Sequence, residues 1–292
     1  MSNATDIANP FERKRPPLDW SRRDLEQRCG FSGGRFTRTN NVFTGILGVI
    51  LAVGVYAAIM PLDGKWIHDT LTLRGPTPYA IVLLSCWSLA ILFVKWRKVR
   101  LQRRSLEFHV MPEDPSFVLS AATVDPVLAR VYETVDEPRN FILFNRVVVA
   151  LSNLRNLGRV TDVDEILRSQ ASQDEASLET SYALVQGFVW AIPVLGFIGT
   201  VLGLSEAIGE FSGVLGASAD VEQISQALKG VTAGLATAFE TTLQALVAAL
   251  VIQLLITFLR KEEEEFLDQA MDYCLRFVVG RLRILPAWQE RE

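Results

Sequence analysis

The residues of this chain that could handle an ion are two stripes of small and hydroxyl-bearing side chains and one carboxylate, all on otherwise uncharged stretches. In 187–205, GFVWAIPVLGFIGTVLGLS, Gly196, Thr200 and Gly203 fall on one face at helical spacing, with Pro193 and Gly199 in the same stretch. Small residues let a neighbouring backbone come close, and the Thr200 hydroxyl is the only side-chain polarity in that stripe. Gly230, Gly234, Thr237, Thr241, Ala245 and Ala248 form a second stripe. Glu240 lies beside it, next to Thr237 and Thr241 and one turn before Gln244. A carboxylate inside a membrane costs on the order of 3 kcal/mol unless it is protonated, paired or hydrated, so Glu240 is a functional candidate. Its structural alternative is a protonated glutamate hydrogen-bonded across helices.

Enzymatic chemistry has no visible home. His68 and His109 are far apart in sequence, and Cys29, Cys86 and Cys274 are dispersed, which gives no metal-ligand cluster and no external disulfide framework. The chain lacks a GxSxG elbow, a GxxxxGK phosphate loop and internal repeats. No cofactor is expected, and the net charge of −4 gives no hint of nucleic acid.

The elements that must position these residues are membrane helices. Val42 to Met60 and Gly75 to Val94 carry no charge, nor does Thr180 to Ser205, and Gly230 to Leu259 carries only Glu240. Each can cross a hydrocarbon core of ~30 Å at ~1.5 Å per residue. Six basic residues between Lys95 and Arg104 follow the second stretch, and the first 40 residues carry eight more without the apolar core of a cleavable signal. No Lys or Arg stands between Arg168 and Lys229, and the loop at 206–229 carries Glu206, Glu210, Asp220 and Glu222. Positive residues stay inside, which predicts cytoplasmic termini and a cytoplasmic middle segment.

The expected fold is therefore an all-α membrane protein with four transmembrane helices. A basic cytoplasmic tail covers 1–41, the first two spans and a short external loop 42–96, a helical cytoplasmic segment 97–179, the channel-like core 180–260 and a cytoplasmic C-terminal helix 261–292. In the middle segment, Asp125 before Pro126 reads as an N-cap, Asp136-Glu137-Pro138 repeats the device, and Thr161 to Asp164 opens a third short helix. Arg139, Arg146, Arg155, Arg159 and Arg168 read as a solvated helical face, with a docking surface as the alternative. The fourth apolar segment is about 45 Å long as a helix and should project beyond the bilayer. Phe266, Ala270, Tyr273 or Cys274 and Phe277 continue it with one apolar face, suited to a bundle with the middle segment.

IPVLGFIGTVLGL, followed after a short loop by ISQALKGVTAGLATAFETT, resembles the MotA/TolQ/ExbB proton-channel family across about 187–260. Four spans with a large segment between the second and third resemble its MotA-type members. The resemblance implies a bacterial inner-membrane ring of five such subunits around two copies of a single-span MotB/TolR/ExbD-like partner whose aspartate carries the ion. By motif position, Pro193 is the proline near the ion path and Thr200 the threonine of the GTV motif. The second family threonine falls on Val231, with Thr232 one position later. With Gly234 as anchor, a family proline falls on Glu240.

The residues themselves also call for a partner. Apart from Glu240, the spans offer hydroxyls, amides and a cysteine, so either Glu240 relays protons or another chain supplies a carboxylate. The ion pathway is expected to comprise Pro193, Thr200, Thr232, Thr237, Glu240 and Thr241, with close helix packing at Gly196, Gly199, Gly203, Gly230 and Gly234. Hydroxyls and carbonyls suit H+ or Na+. The expected function is the pore-ring subunit of an ion-driven motor. Two alternatives are a self-contained channel or transporter using Glu240 and a non-conducting membrane scaffold.

Overall fold

The structure, a computed structural model, describes residues 16–62, 66–72, 75–112, 117–157, 160–215 and 221–282. Among them the regular structure is helical, with isolated single-residue bridges in place of strands. Four helices are long and apolar enough to cross a membrane: α3 (Asn41–Ile59), α5 (Thr77–Arg103), α8 (Val160–Leu215) and α9 (Val221–Phe277). The shorter helices are α1 (Trp20–Arg23), α2 (Leu25–Arg28), α4 (Trp66–Thr72), α6 (Val124–Thr134) and α7 (Ile142–Leu157). The chain divides into two compact units, and α5, α8 and α9 contribute to both. Unit 1 holds 1–36, 98–175 and 265–292, and unit 2 holds 37–97 and 176–264.

In unit 2 the apolar helices meet through small residues. The Asn40 carboxamide caps α3 by accepting from the Val42 N–H at 2.9 Å. One turn on, Gly45 and Gly48 receive Trp87 of α5, and a Cβ on Gly48 would stand 2.6 Å from the Trp87 Cα. The indole N–H of Trp87 donates to the Thr44 hydroxyl at 3.4 Å, and its ring meets Phe188 of α8 at 4.9 Å between centroids. A bulky aromatic thus fills the space that two glycines leave open.

Unit 1 is built on α6 and α7, whose Val127, Val131, Phe144, Val147 and Leu151 are buried. The chain before the first span is part of this core. Leu18 and Trp20 are buried, Trp20 meets Phe141 edge-on at 5.2 Å, and Leu18 bridges to Val135. Arg13, Lys14 and Arg15 lie outside the described residues.

Four local expectations change. Thr161 to Asp164 do not open a separate short helix, because no Gly or Pro stands between Val160 and Gly187 and the helix runs unbroken into the third span. Asp125 is in the first turn of α6, not at its cap, since a Ser120–Thr123 capping box already closes the preceding turn. The Asp136 carboxylate accepts from the Trp20 and Ser21 N–H groups at 3.0 and 3.2 Å, while Gln102 receives the Ile142 N–H at the start of α7. Arg146 also leaves the expected solvated face: it is 1% exposed, paired with Asp174 at 2.8 Å and donating to the Leu267 carbonyl. Arg139, Arg155 and Arg168 are exposed, and Arg159 falls outside the described residues.

Candidate ion-path site

The two predicted stripes lie against each other in unit 2. A Cβ on Gly196 would stand 2.5 Å from the Ala245 Cβ, one on Gly199 2.7 Å from the Thr241 hydroxyl, and one on Gly203 2.9 Å from the Gly234 carbonyl. Gly234 is equally confined: a Cβ there would stand 2.7 Å from both the Ala207 Cβ and the Gly203 carbonyl. Any side chain at these positions would force α8 and α9 apart. Their spacing follows from 3.6 residues per turn, which returns Gly196, Gly199 and Gly203 to one side of α8.

Hydroxyls fill the polar demand of the seam. Thr200 Oγ1 lies 3.1 Å from the Ala238 carbonyl and 3.2 Å from its own helix's Gly196 carbonyl, and it shares a hydrogen bond with the Thr242 hydroxyl. Thr242 Oγ1 reaches the Gly196 carbonyl at 3.1 Å. Two threonines thus cross-link α8 and α9 where the glycines bring the backbones together. Thr242 lies outside the predicted set, although it follows Thr241 directly; only the relative rotation of the two helices singles it out.

The remaining predicted residues divide. Thr241 is fully buried against Gly199, with its hydroxyl returned to the Thr237 carbonyl at 3.0 Å. Thr237 donates to the Ala233 carbonyl at 3.0 Å, and Thr232 is exposed with its hydroxyl on the Lys229 carbonyl. Pro193 lies within α8, half-buried, and Gly230 is half-buried on α9. Glu240 is half-buried and accepts from the Thr70 hydroxyl of α4 at 3.4 Å. The two stripes lie in direct contact, so another chain's acid group has no room between them. What the pair offers outward is its flanks, where Trp190, Phe197, Thr232 and Phe239 are exposed.

A second polar cluster in unit 2 joins the ends of the spans. Lys95 Nζ, 1% exposed, lies 3.0 Å from Glu263 Oε2, 2.7 Å from Ser181 Oγ and 3.3 Å from Thr37 Oγ1. Tyr182 donates to the same carboxylate at 2.9 Å, and Thr37 donates to its other oxygen. Thr37 precedes α3, Lys95 is on α5, Ser181 and Tyr182 are on α8, and Glu263 is on α9. One buried ion pair between α5 and α9 is therefore hydrogen-bonded to α8 and to the chain just before α3. In the sequence Lys95 reads as one of six basic residues and Glu263 as one of a glutamate run. The available signal is that Glu263 falls on the Phe266–Ala270–Cys274 face.

Among the described residues no group of histidine, cysteine and carboxylate side chains could hold a metal ion. No curated protein and no solved structure gives a significant match. A family model does match, from α7 through both helices of the seam. Residues 142–271 match the model of the MotA/TolQ/ExbB proton channel family, whose proteins are membrane channel and motor subunits.

Proposed function

We propose that this protein is the pore-ring subunit of a proton- or sodium-driven motor of the bacterial inner membrane. In this reading both termini are cytoplasmic, and about five copies surround a single-span partner, in two copies, that carries an ion-binding carboxylate. The observation that supports it most is the Thr200–Thr242 cross-link within a glycine seam, inside the stretch that matches the family. A rigid α8–α9 pair repeated around an axis would present its flanks as a smooth wall, along which a carboxylate slides when protonated and halts when ionised. A charge crossing the membrane potential supplies ~2.3 kcal/mol per 100 mV, so several ions per cycle suffice for conformational work.

The test is ion flux into vesicles holding this protein together with a single-span protein that carries a membrane aspartate. Thr200→Val should abolish most of the flux while assembly persists. Undiminished flux would remove Thr200 from the path. A second reading, a self-contained channel, draws on the half-buried Glu240 and its hydrogen bond to Thr70. Glu240-dependent flux through this chain alone would favour it.

A further inference from the structure

Unit 1 contains a cavity of about 540 Å3 whose polar lining belongs to no part of the ion path. We propose that it binds a small phosphorylated metabolite, with the phosphate on Arg35 and Arg139 and a hydroxyl of the ligand's body on Glu137. Gly33, Asn140 and Asn145 complete the polar wall, and Val149 supplies an apolar side. The volume is in the range of small-molecule sites and exceeds what a lone carboxylate fills.

Arg35 is held in place before any ligand arrives. A Cβ on Gly33 would stand 2.5 Å from Asp24 Oδ2, so a side chain there would displace that carboxylate. The Gly34 N–H donates to Glu26 at 3.3 Å, and Lys98 in turn fixes that carboxylate at 2.5 Å. Phe36 has a φ of +60°, a left-handed conformation that a bulky residue rarely adopts and that marks a loop held by its surroundings. Between these anchors the Arg35 guanidinium lies over the Phe36 ring, donates from Nε to the Arg139 carbonyl at 3.3 Å and donates from Nη2 to Asn145 Oδ1 at 2.8 Å. These two bonds use two of its five N–H donors.

A planar fork fixed in this way matches phosphate geometry, and a second arginine adds charge. The carboxylate in the lining suits the rest of such a ligand. Glu137 accepts from Asn140 Nδ2 at 2.7 Å, which orients it and leaves further lone pairs for a hydroxyl. Two guanidinium groups against one carboxylate favour an anion that also carries hydroxyls.

The experiment is calorimetric titration of the full chain in detergent with adenosine 5′-monophosphate and with inorganic phosphate, using adenosine as the control. Saturable binding of the nucleotide, weaker binding of phosphate and none of adenosine is the expected pattern. Arg139 is exposed, so Arg139→Gln should leave the thermal midpoint unchanged and weaken the nucleotide about tenfold or more. Arg35→Lys keeps the charge but loses the fork and should also weaken it. Absence of saturable binding to either probe, equal binding of adenosine, or affinity unmoved by Arg139→Gln would overturn the site.

Discussion

Lys95 Nζ and Glu263 Oε2 stand 3.0 Å apart with both side chains 1% exposed. Such a pair gives little net stability over apolar residues of the same size, because desolvation offsets the attraction, but removing one partner strands the other. Lys95→Met should therefore destabilise the protein by about 3–5 kcal/mol, and Lys95→Met with Glu263→Leu should recover most of that loss. Denaturant unfolding in detergent measures both. Equal loss in the single and double variants would show that the pair acts as a fixed register pin that apolar packing cannot replace.

Glycines in this protein should divide sharply by position. Gly203→Val or Gly234→Val must push a side chain into a facing carbonyl and should cost at least about 1–3 kcal/mol, with loss of assembled protein. Gly54 and Gly187 face open space within helices, and alanine there should be neutral or stabilising by about 0.5–1 kcal/mol. Thermal unfolding of the four variants side by side checks the contrast.

Thr200 and Thr242 should be energetically coupled. Each valine substitution removes one hydroxyl and leaves the other short of a partner, so the double variant should lose less than the sum of the singles by about 0.5–1.5 kcal/mol. A double-mutant cycle on unfolding measures this. Strict additivity would mean that the hydroxyls serve their own helix carbonyls alone.

Asp24 gives unit 1 a pH dependence of defined sign. Burial raises its carboxyl above the usual carboxylate range, outweighing the opposing pull of the Lys98 ammonium. A folded-state value above the unfolded one contributes stability that is complete below the unfolded pKa and lost as pH rises through the folded one. Asp24→Asn keeps an oxygen for the Glu26 N–H and should equal or exceed wild-type stability at neutral pH, with the difference shrinking in acid. A variant that is least stable near neutrality would reverse the sign and refute this account.

Much of the membrane part was legible because two physical patterns suffice for it. Uncharged length marks a span, and helical spacing of small residues marks a close contact, so Gly196, Gly199, Gly203 and Gly234 can be placed before any coordinates. Their partners depend on helix rotation, which is why Thr242 and Ala207 escaped while Thr232, read by motif, is exposed. Unit 1 was less legible. Asp136 resembles a cap for the helix that follows it, yet it serves a helix 116 positions earlier, a long-range choice that local propensity cannot express. Arg146 and Lys95 look like solvated cations until the acids facing them, Asp174 and Glu263, are brought alongside by the fold.

The glycine contacts between α8 and α9 have a mechanical corollary. A seam of leucines can absorb a shove by swinging side chains into other rotamers, whereas backbone resting on backbone has nothing to swing. The two helices should therefore behave as one stiff lever, passing on a push at either member with little lost to internal give.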